Sequence, residues 1–437
     1  MPNSATTQTH SSDEAVQTAL WILNEVAGAG LVHKVNIQFW DGTLWPDAAP
    51  RPTTIHLKHP GAIRGIFKPP IAVSMGEAYL RDDFDVEGNW EDVGELFEAL
   101  DVASLSWSQK LQAGSKLLRL PGGKASESVK MPMQSGTQLR GKRHSIERAK
   151  QAVAFHYNAS NDFFKLWLDT RMVYSCAYFR TTQDDLDTAQ TSKLDYICRK
   201  LRLQPGQRLL DIGCGWGGLV MYAAQHYDVD ATGITLSQPQ VDEANERITK
   251  AGLTERCRVL LRDYREMNAP EPYDALVSVG MFEHVGAALL PTYFQQAWKL
   301  LRPQGVFLNH GIAFNATREA PHGPNFVEMY VFPDGETVPI HVTLRAAEES
   351  NFEVRDVESL REHYALTLRH WVRRLEAKHE DALKFVDEPT YRIWRLYMSG
   401  SAYGFATCRI NLYQTLLVKN DERGHNSLPL TREDWYS

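Results

Sequence analysis

The chain has no Cys-x-x-Cys pair. Its five cysteines (Cys176, Cys198, Cys214, Cys257 and Cys408) are scattered and odd in number. That pattern argues against a disulfide framework or a zinc finger. The metalloprotease motif H-E-x-x-H is absent, and Glu283-His284 fits no zinc pattern, so no metal is expected. A transmembrane helix needs roughly 20 consecutive apolar residues. The best stretch, Ala19 to Val32, is broken by Asn24 and Glu25. Positive charge is also in short supply: 47 Lys and Arg face 54 Asp and Glu, a net charge of −7. This balance disfavours a general nucleic-acid binder, which needs a basic surface. The opening MPNSATTQTHSSDEA has no basic-then-apolar signal pattern, so the cytoplasm is the expected compartment. No internal repeat is visible.

What is present is ordinary globular material. Hydrophobic residues make up 43% of 437 positions, enough for a sizeable core. At roughly 150 residues per domain, two or three domains are expected. The first dozen residues are Ser/Thr-rich and read as disordered. A helix is predicted over 13–28, capped by Ser12 or Asp13. KVNIQFWDGTLW then alternates apolar and polar residues around the Asp41-Gly42 turn, and TIHLKH continues as a strand. Residues 1–120 are thus predicted to form a small α+β domain. The polar, Gly- and Pro-containing stretch 121–148 reads as a linker, and 149–437 as the larger domain.

The larger domain is more regular. QRLLDIG, VDATGIT, RVLLRD, YDALVSVG and GVFLNHGI are short apolar runs separated by helical segments. FEVRDVESL and LYQTLLVKN supply two further candidate strands. Strand–helix alternation implies an α/β fold, a parallel sheet with helices on both faces. Between His363 and Phe405 lies a helical, aromatic-rich insert.

The strand QRLLDIG runs into GCGWGG and then a helix. Glycines there allow a tight turn and close backbone approach to a ligand, and the helix offers free N–H groups. Gly213, Gly215 and Gly218 satisfy the dinucleotide pattern G-x-G-x-x-G. Asp211, Gly213, Gly215 and Gly217 equally satisfy D-x-G-x-G-x-G of S-adenosylmethionine (SAM) methyltransferases. The acid expected about 20 residues on is missing from ATGITLS, which weakens the dinucleotide reading.

HYNASNDFFKLWLD, VYSCAYF, LLDIGCGWGG, GITLS, RDYREM, GMFEHVG and LNHGI resemble, in order, the motifs of the cyclopropane-fatty-acid and mycolic acid cyclopropane synthases. The resemblance covers about 150–420. It implies a class I SAM-methyltransferase fold, Rossmann-like with a mostly parallel seven-stranded sheet and a helical lipid-binding insert. It also implies a synthase that uses SAM to add a methylene across the cis double bond of a phospholipid acyl chain, with a bound bicarbonate ion. By that resemblance the bicarbonate-holding, catalytic set is Cys176, Glu283, His310, Ile312 and Tyr364. SAM would contact Tyr174, Ser175, Gly213, Gly215, Thr235, Leu236, Gln240, Asp263, Tyr264 and Arg265. The expected partners are unsaturated phospholipids at the inner face of the cell membrane, with no nucleic acid, and a second copy in a homodimer. Loss of a proton elsewhere would instead give a methyl- or methylene-branched chain.

The chemistry suits these residue types. An isolated alkene is a weak nucleophile and needs an activated methyl donor. The resulting carbocation must be shielded from water, and aromatic faces can stabilise it. Ring closure then needs a small base in an apolar site. His310 and Glu283 follow apolar strands, at the carboxyl edge where open α/β sheets place ligands. The basic stretch LRGKRHSIERAK carries five Lys/Arg against Glu147 and reads either as a solvated linker or as a contact for anionic headgroups.

Overall fold

Side chains alternate across a strand, so a strand covered on both faces needs apolar residues at successive positions. RLLDI, ALV and VFL meet that need. In a computed structural model, which describes residues 5–26, 34–99, 105–122, 139–157, 159–317 and 325–436, they lie at the centre of a seven-stranded sheet. The strands are β5 (Arg208–Ile212), β6 (Asp230–Thr235), β7 (Cys257–Leu261), β8 (Tyr273–Val279), β9 (Leu301–Phe314), β10 (Glu353–Ser359) and β11 (Ile410–Val418). Their order is β10-β11-β9-β8-β5-β6-β7. β11 is antiparallel to both neighbours, and the β9-β8-β5-β6-β7 run is parallel. Every strand expected in the larger domain is present.

The two faces sort by the period of two. Leu209, Val277, Leu308 and Leu416 pack on one side with Leu194, Ile197, Val220 and Ala244. Leu210, Leu276, Phe307 and Leu417 pack on the other with Tyr293, Phe294 and Ala347. The first layer is built by helices Leu186–Lys200, Gly218–His226 and Gln238–Lys250. The second is built by Leu290–Leu300 and Ile340–Glu349.

The chain divides into two compact units. One comprises 1–133, 323–326 and 387–403; the other comprises 134–322, 327–386 and 404–437. The first contains a four-stranded sheet of β1 (Val35–Gln38), β2 (Leu44–Trp45), β3 (Thr53–Leu57) and β4 (Phe84–Glu87), in the order β2-β1-β3-β4. Asp41 closes the β1–β2 hairpin by accepting from the Thr43 backbone N–H.

Three sequence expectations change. The first helix runs Ala5–Val26, so Ser12 and Asp13 lie within it, and part of the stretch read as disordered is helical. Ala27 and Gly28, the expected helix end, fall outside the described residues, as does 123–138 of the expected linker. The remainder of that linker is not all loop. Ser145 caps helix Ile146–His156 by accepting from the Arg148 N–H, which places ordered structure before position 149. The aromatic insert is divided. Tyr391, Trp394, Tyr397 and Tyr403 group with the first unit, while Tyr364, Trp371 and Phe405 belong to the second. In the first unit Arg392 bonds the Tyr79 carbonyl and pairs with Asp82 and Asp85. These are partners roughly 300 positions away, which no local pattern reveals.

Candidate active site

The glycine loop after β5 is held by its backbone. Gly213, Gly215 and Gly217 have φ of +89°, +55° and +77°, values that L side chains rarely adopt. A Cβ on Gly213 would sit 2.6 Å from Met281 Cβ, while Gly215 has nothing within 4 Å. One glycine is thus demanded by packing, and the other keeps the backbone bare beside open space. Two cavities flank the loop. The larger, about 770 Å³ counting its open mouth, is lined by Ile234, Thr235, Leu236, Gln240, Asp263 and Tyr264 among others. The smaller, about 540 Å³, is lined by Tyr174, Ser175, Lys193, Asp211 and Trp216 among others. Gly213, Gly215, Gly280 and Tyr157 line both. All ten residues expected to contact SAM line one cavity or the other.

Polar atoms left without partners mark where a ligand would bond. Gln240 Oε1 accepts from Thr235 Oγ1 at 2.6 Å, which leaves its buried Nε2 without a hydrogen bond. Asp211 Oδ1 is likewise buried and unpartnered. Burial pushes the Asp211 carboxyl up to about 7, against the pull of Lys193. Lys193, itself buried, donates to Ser175 Oγ at 2.9 Å. Burial lowers it to about 8, and Asp169, Cys176 and Asp211 oppose that shift. The donor set therefore fits a ligand with both amine and carboxylate ends, such as the methionine half of SAM. Sequence reasoning missed Lys193 and Lys200. The signal was there: both lie in the buried phase of helix Leu186–Lys200, with Ala189, Leu194 and Ile197.

In the basic stretch 139–150, Arg148 is held in place while Arg140, Lys142, Arg143 and Lys150 are exposed. Arg148 pairs with Asp334 and donates to the carbonyls of Leu139 and Gly141. Asp263 accepts from Arg265 Nε and Nη2, both at 2.7 Å, and Arg265 donates to the His144 carbonyl at 2.8 Å. The Asp263–Arg265 pair thereby ties this segment over the cofactor cleft, and His144, Ala149 and Val153 line that cleft.

The five residues assigned to bicarbonate do not line either cavity; they gather behind it. The carbonyl of Leu360 accepts from Cys176 Sγ (3.7 Å) and from the Tyr364 N–H (3.1 Å). Leu360 N–H donates to the Leu412 carbonyl, and Leu412 is the register partner of Ile312. Gly280, shared by both cavities, donates to the His310 carbonyl at 2.9 Å. The Tyr364 ring lies 4.7 Å from Phe405 and 6.1 Å from Trp371, which in turn meets Tyr174 and Trp167. Cys176 is fully buried, and burial raises its thiol well above the ordinary range. It is not a thiolate nucleophile.

Ile312 holds Glu283 through its backbone. Its N–H donates to Glu283 Oε1 at 2.7 Å, so that donor is already taken and serves to aim the carboxylate. Glu283 Oε2 is buried without a partner, and burial pushes the carboxyl up to about 7. His310 is set by a chain of hydrogen bonds. Lys200, held by Glu358, donates to Gln414 Oε1 at 2.9 Å. Lysine can only donate, so the opposite end of that amide, Nε2, is the end that faces His310 Nδ1 at 3.1 Å. An amide nitrogen donates, so Nδ1 accepts and the imidazole proton sits on Nε2. Burial, with Lys193 and Lys200 nearby, drives His310 well below its usual value and keeps it neutral. Its Nε2–H is buried without a partner. One lone acceptor and one lone donor are therefore left, both buried. A small ion with both an O–H and anionic oxygens fits that pair.

Among the described residues no cluster could hold a metal ion, and no helix is long and apolar enough to cross a membrane. The profile of the mycolic acid cyclopropane synthetase family matches residues 144–415. A probable fatty acid methyltransferase of Pseudomonas putida is 40% identical over 92% of this chain and 96% of its own. The cyclopropane-fatty-acyl-phospholipid synthase of Escherichia coli K12 is 33% identical over 85% and 90%. The crystal structure of mycolic acid cyclopropane synthase CmaA1 complexed with SAH and CTAB superposes with a TM-score of 0.59 at 35% identity. It covers 62% of this chain and 98% of that one.

Proposed function

The chain belongs to the mycolic acid cyclopropane synthetase family, and from that premise we propose that it is a cyclopropane-fatty-acyl-phospholipid synthase. It is a SAM-dependent methyltransferase with the class I fold. In the proposed reaction the π bond of a cis-unsaturated acyl chain attacks the sulfonium methyl, and the thioether leaves. The cation formed on the chain loses a proton from the added methyl, and the electron pair of that C–H bond closes the ring.

The observation that carries this reading is that two residues of neighbouring strands, Glu283 just after β8 and His310 within β9, each keep a buried and unpartnered polar atom, Oε2 and Nε2. The rings of Tyr364, Trp371 and Tyr174 form one aromatic cluster, a surface that would shield a cation from water and stabilise it. Ile312 and Gln414 hold the two polar groups in place. Bicarbonate, for which Glu283, His310, Tyr364 and Cys176 are the proposed holders, would supply a small base when bound. Neutral His310 donates a hydrogen bond, and Glu283 accepts one.

The test is incubation with SAM and vesicles of mixed unsaturated phospholipids, followed by proton NMR of the acyl chains. Ring-methylene resonances support the proposal. Vinylidene or branched-methyl signals without them support the alternative, a fatty acid methyltransferase without ring closure, which the name of the P. putida relative favours. Mass alone is insufficient, because cyclopropane and methylene products are isomers. Full activity after bicarbonate depletion would remove that ion from the proposal.

A further inference from the structure

The helix Trp107–Arg119 of the first unit carries a stripe that the described residues leave uncovered. Eleven large hydrophobic residues are exposed among those described, and three of them lie on these 13 residues: Trp107 (82% exposed), Leu111 (71%) and Leu118 (70%). At about 100° per residue they fall within about 40° of one another around the helix. Gly114 lies in the same stripe with nothing within 4 Å of its Cβ position. The opposite face is anchored. Ala113 and Leu120 are buried, Lys116 stacks over Trp21 at 4.7 Å, and a Ser106–Gln109 capping box starts the helix. The stripe is therefore displayed by a fixed helix.

The charge on the helix itself has one sign. The helix contains Lys110, Lys116 and Arg119 and no acid. Lys110 and Arg119 flank the stripe on opposite sides, about 80° and about 100° from its centre. Over 105–145 the sequence has eight Lys/Arg and one acid, net +7, in a chain whose total is −7. The rest of the chain is repelled by an anionic surface, and this segment is drawn to one.

We infer that Trp107, Leu111 and Leu118 insert into the headgroup–acyl boundary of an anionic phospholipid bilayer, with Arg119 meeting its phosphates. A fixed amphipathic helix with an indole, two leucines and flanking cations suits that interface. The inference rests on the lipid substrate proposed above. It places a membrane contact outside the basic stretch 139–150.

The test is co-sedimentation of the full chain with vesicles of phosphatidylglycerol and phosphatidylethanolamine, and with phosphatidylcholine alone. The variants are Trp107→Ser/Leu111→Ser/Leu118→Ser and Arg119→Glu. The apolar variant should bind anionic vesicles about tenfold or more weakly. The charge variant should lose the preference for anionic over neutral vesicles, and both should bind SAM as the parent does. Unchanged sedimentation of both variants overturns the inference. So does a fall in the mass of the apolar variant in vesicle-free sedimentation velocity, which would make the stripe a contact between copies. Turnover of unsaturated phospholipid dispersed in detergent micelles, which needs no docking, separates the two readings. Absence of any modified acyl chain there defeats the substrate proposal, whatever the vesicles show.

Discussion

Replacing Glu283 with Gln should stabilise the catalytic unit at neutral and alkaline pH while it cripples turnover. Glu283 is buried, and that burial moves its carboxyl from 4.5 up to about 7; the Ile312 N–H pulls the other way without offsetting it. Such a group holds its proton more tightly folded than unfolded. Below about pH 4.5 both states are protonated and the site has no effect. Between about pH 4.5 and about pH 7 unfolding releases a proton, so stability falls as pH rises, by about 1.4 kcal/mol per unit. Above about pH 7 the loss is complete, at roughly 3 kcal/mol. Glutamine keeps the shape and can still accept from Ile312, but carries no charge. The variant's advantage over the parent should therefore be small near pH 5, climb to roughly 3 kcal/mol near pH 7 and stay flat beyond. Urea unfolding followed by tryptophan fluorescence reads this directly, because Trp167, Trp216 and Trp371 are buried in the same unit. An advantage that is constant with pH, or that shrinks as pH rises, would refute the picture of an unpaired buried carboxyl. In parallel, kcat should fall by about tenfold or more, because a neutral amide holds the O–H of a bound base more weakly than a carboxylate does.

Gly213→Ala places a methyl 2.6 Å from Met281 Cβ at a φ of +89°. It should weaken SAM binding and lower stability by about 1–3 kcal/mol, read by calorimetry and thermal melting. Gln414→Leu removes the amide that fixes the His310 tautomer. It should lower kcat about tenfold or more with little change in SAM affinity, and nitrogen NMR of labelled histidine should show the proton shared between Nδ1 and Nε2. Lys193→Met leaves Asp169 and Asp211 buried without their cation and should cost about 3–5 kcal/mol. Adding Asp211→Asn should recover part of that loss in the same melts.

Elements that obey a local period were legible in the sequence. The seven strands of the larger sheet alternate with amphipathic helices, because each strand must cover both faces and each helix one. The glycine loop declared itself because positive φ and close approach admit few other residues, and the residues expected around it do line the two cavities. The first helix, by contrast, begins at Ala5, where Ser/Thr-rich composition had suggested disorder.

What only the tertiary structure decided are the pairings between distant positions. Residues 200, 310 and 414 meet to place a single proton on His310 Nε2. The Ile312 N–H is engaged by Glu283, 29 positions earlier in the chain. Arg148 of a seemingly free basic stretch is clamped by Asp334, and 387–403 joins the first unit instead of the catalytic one. Periodicity reports which face of an element is buried. It does not say which polar groups will share that burial, and those contacts set the tautomer, the charge and the reactivity of the site.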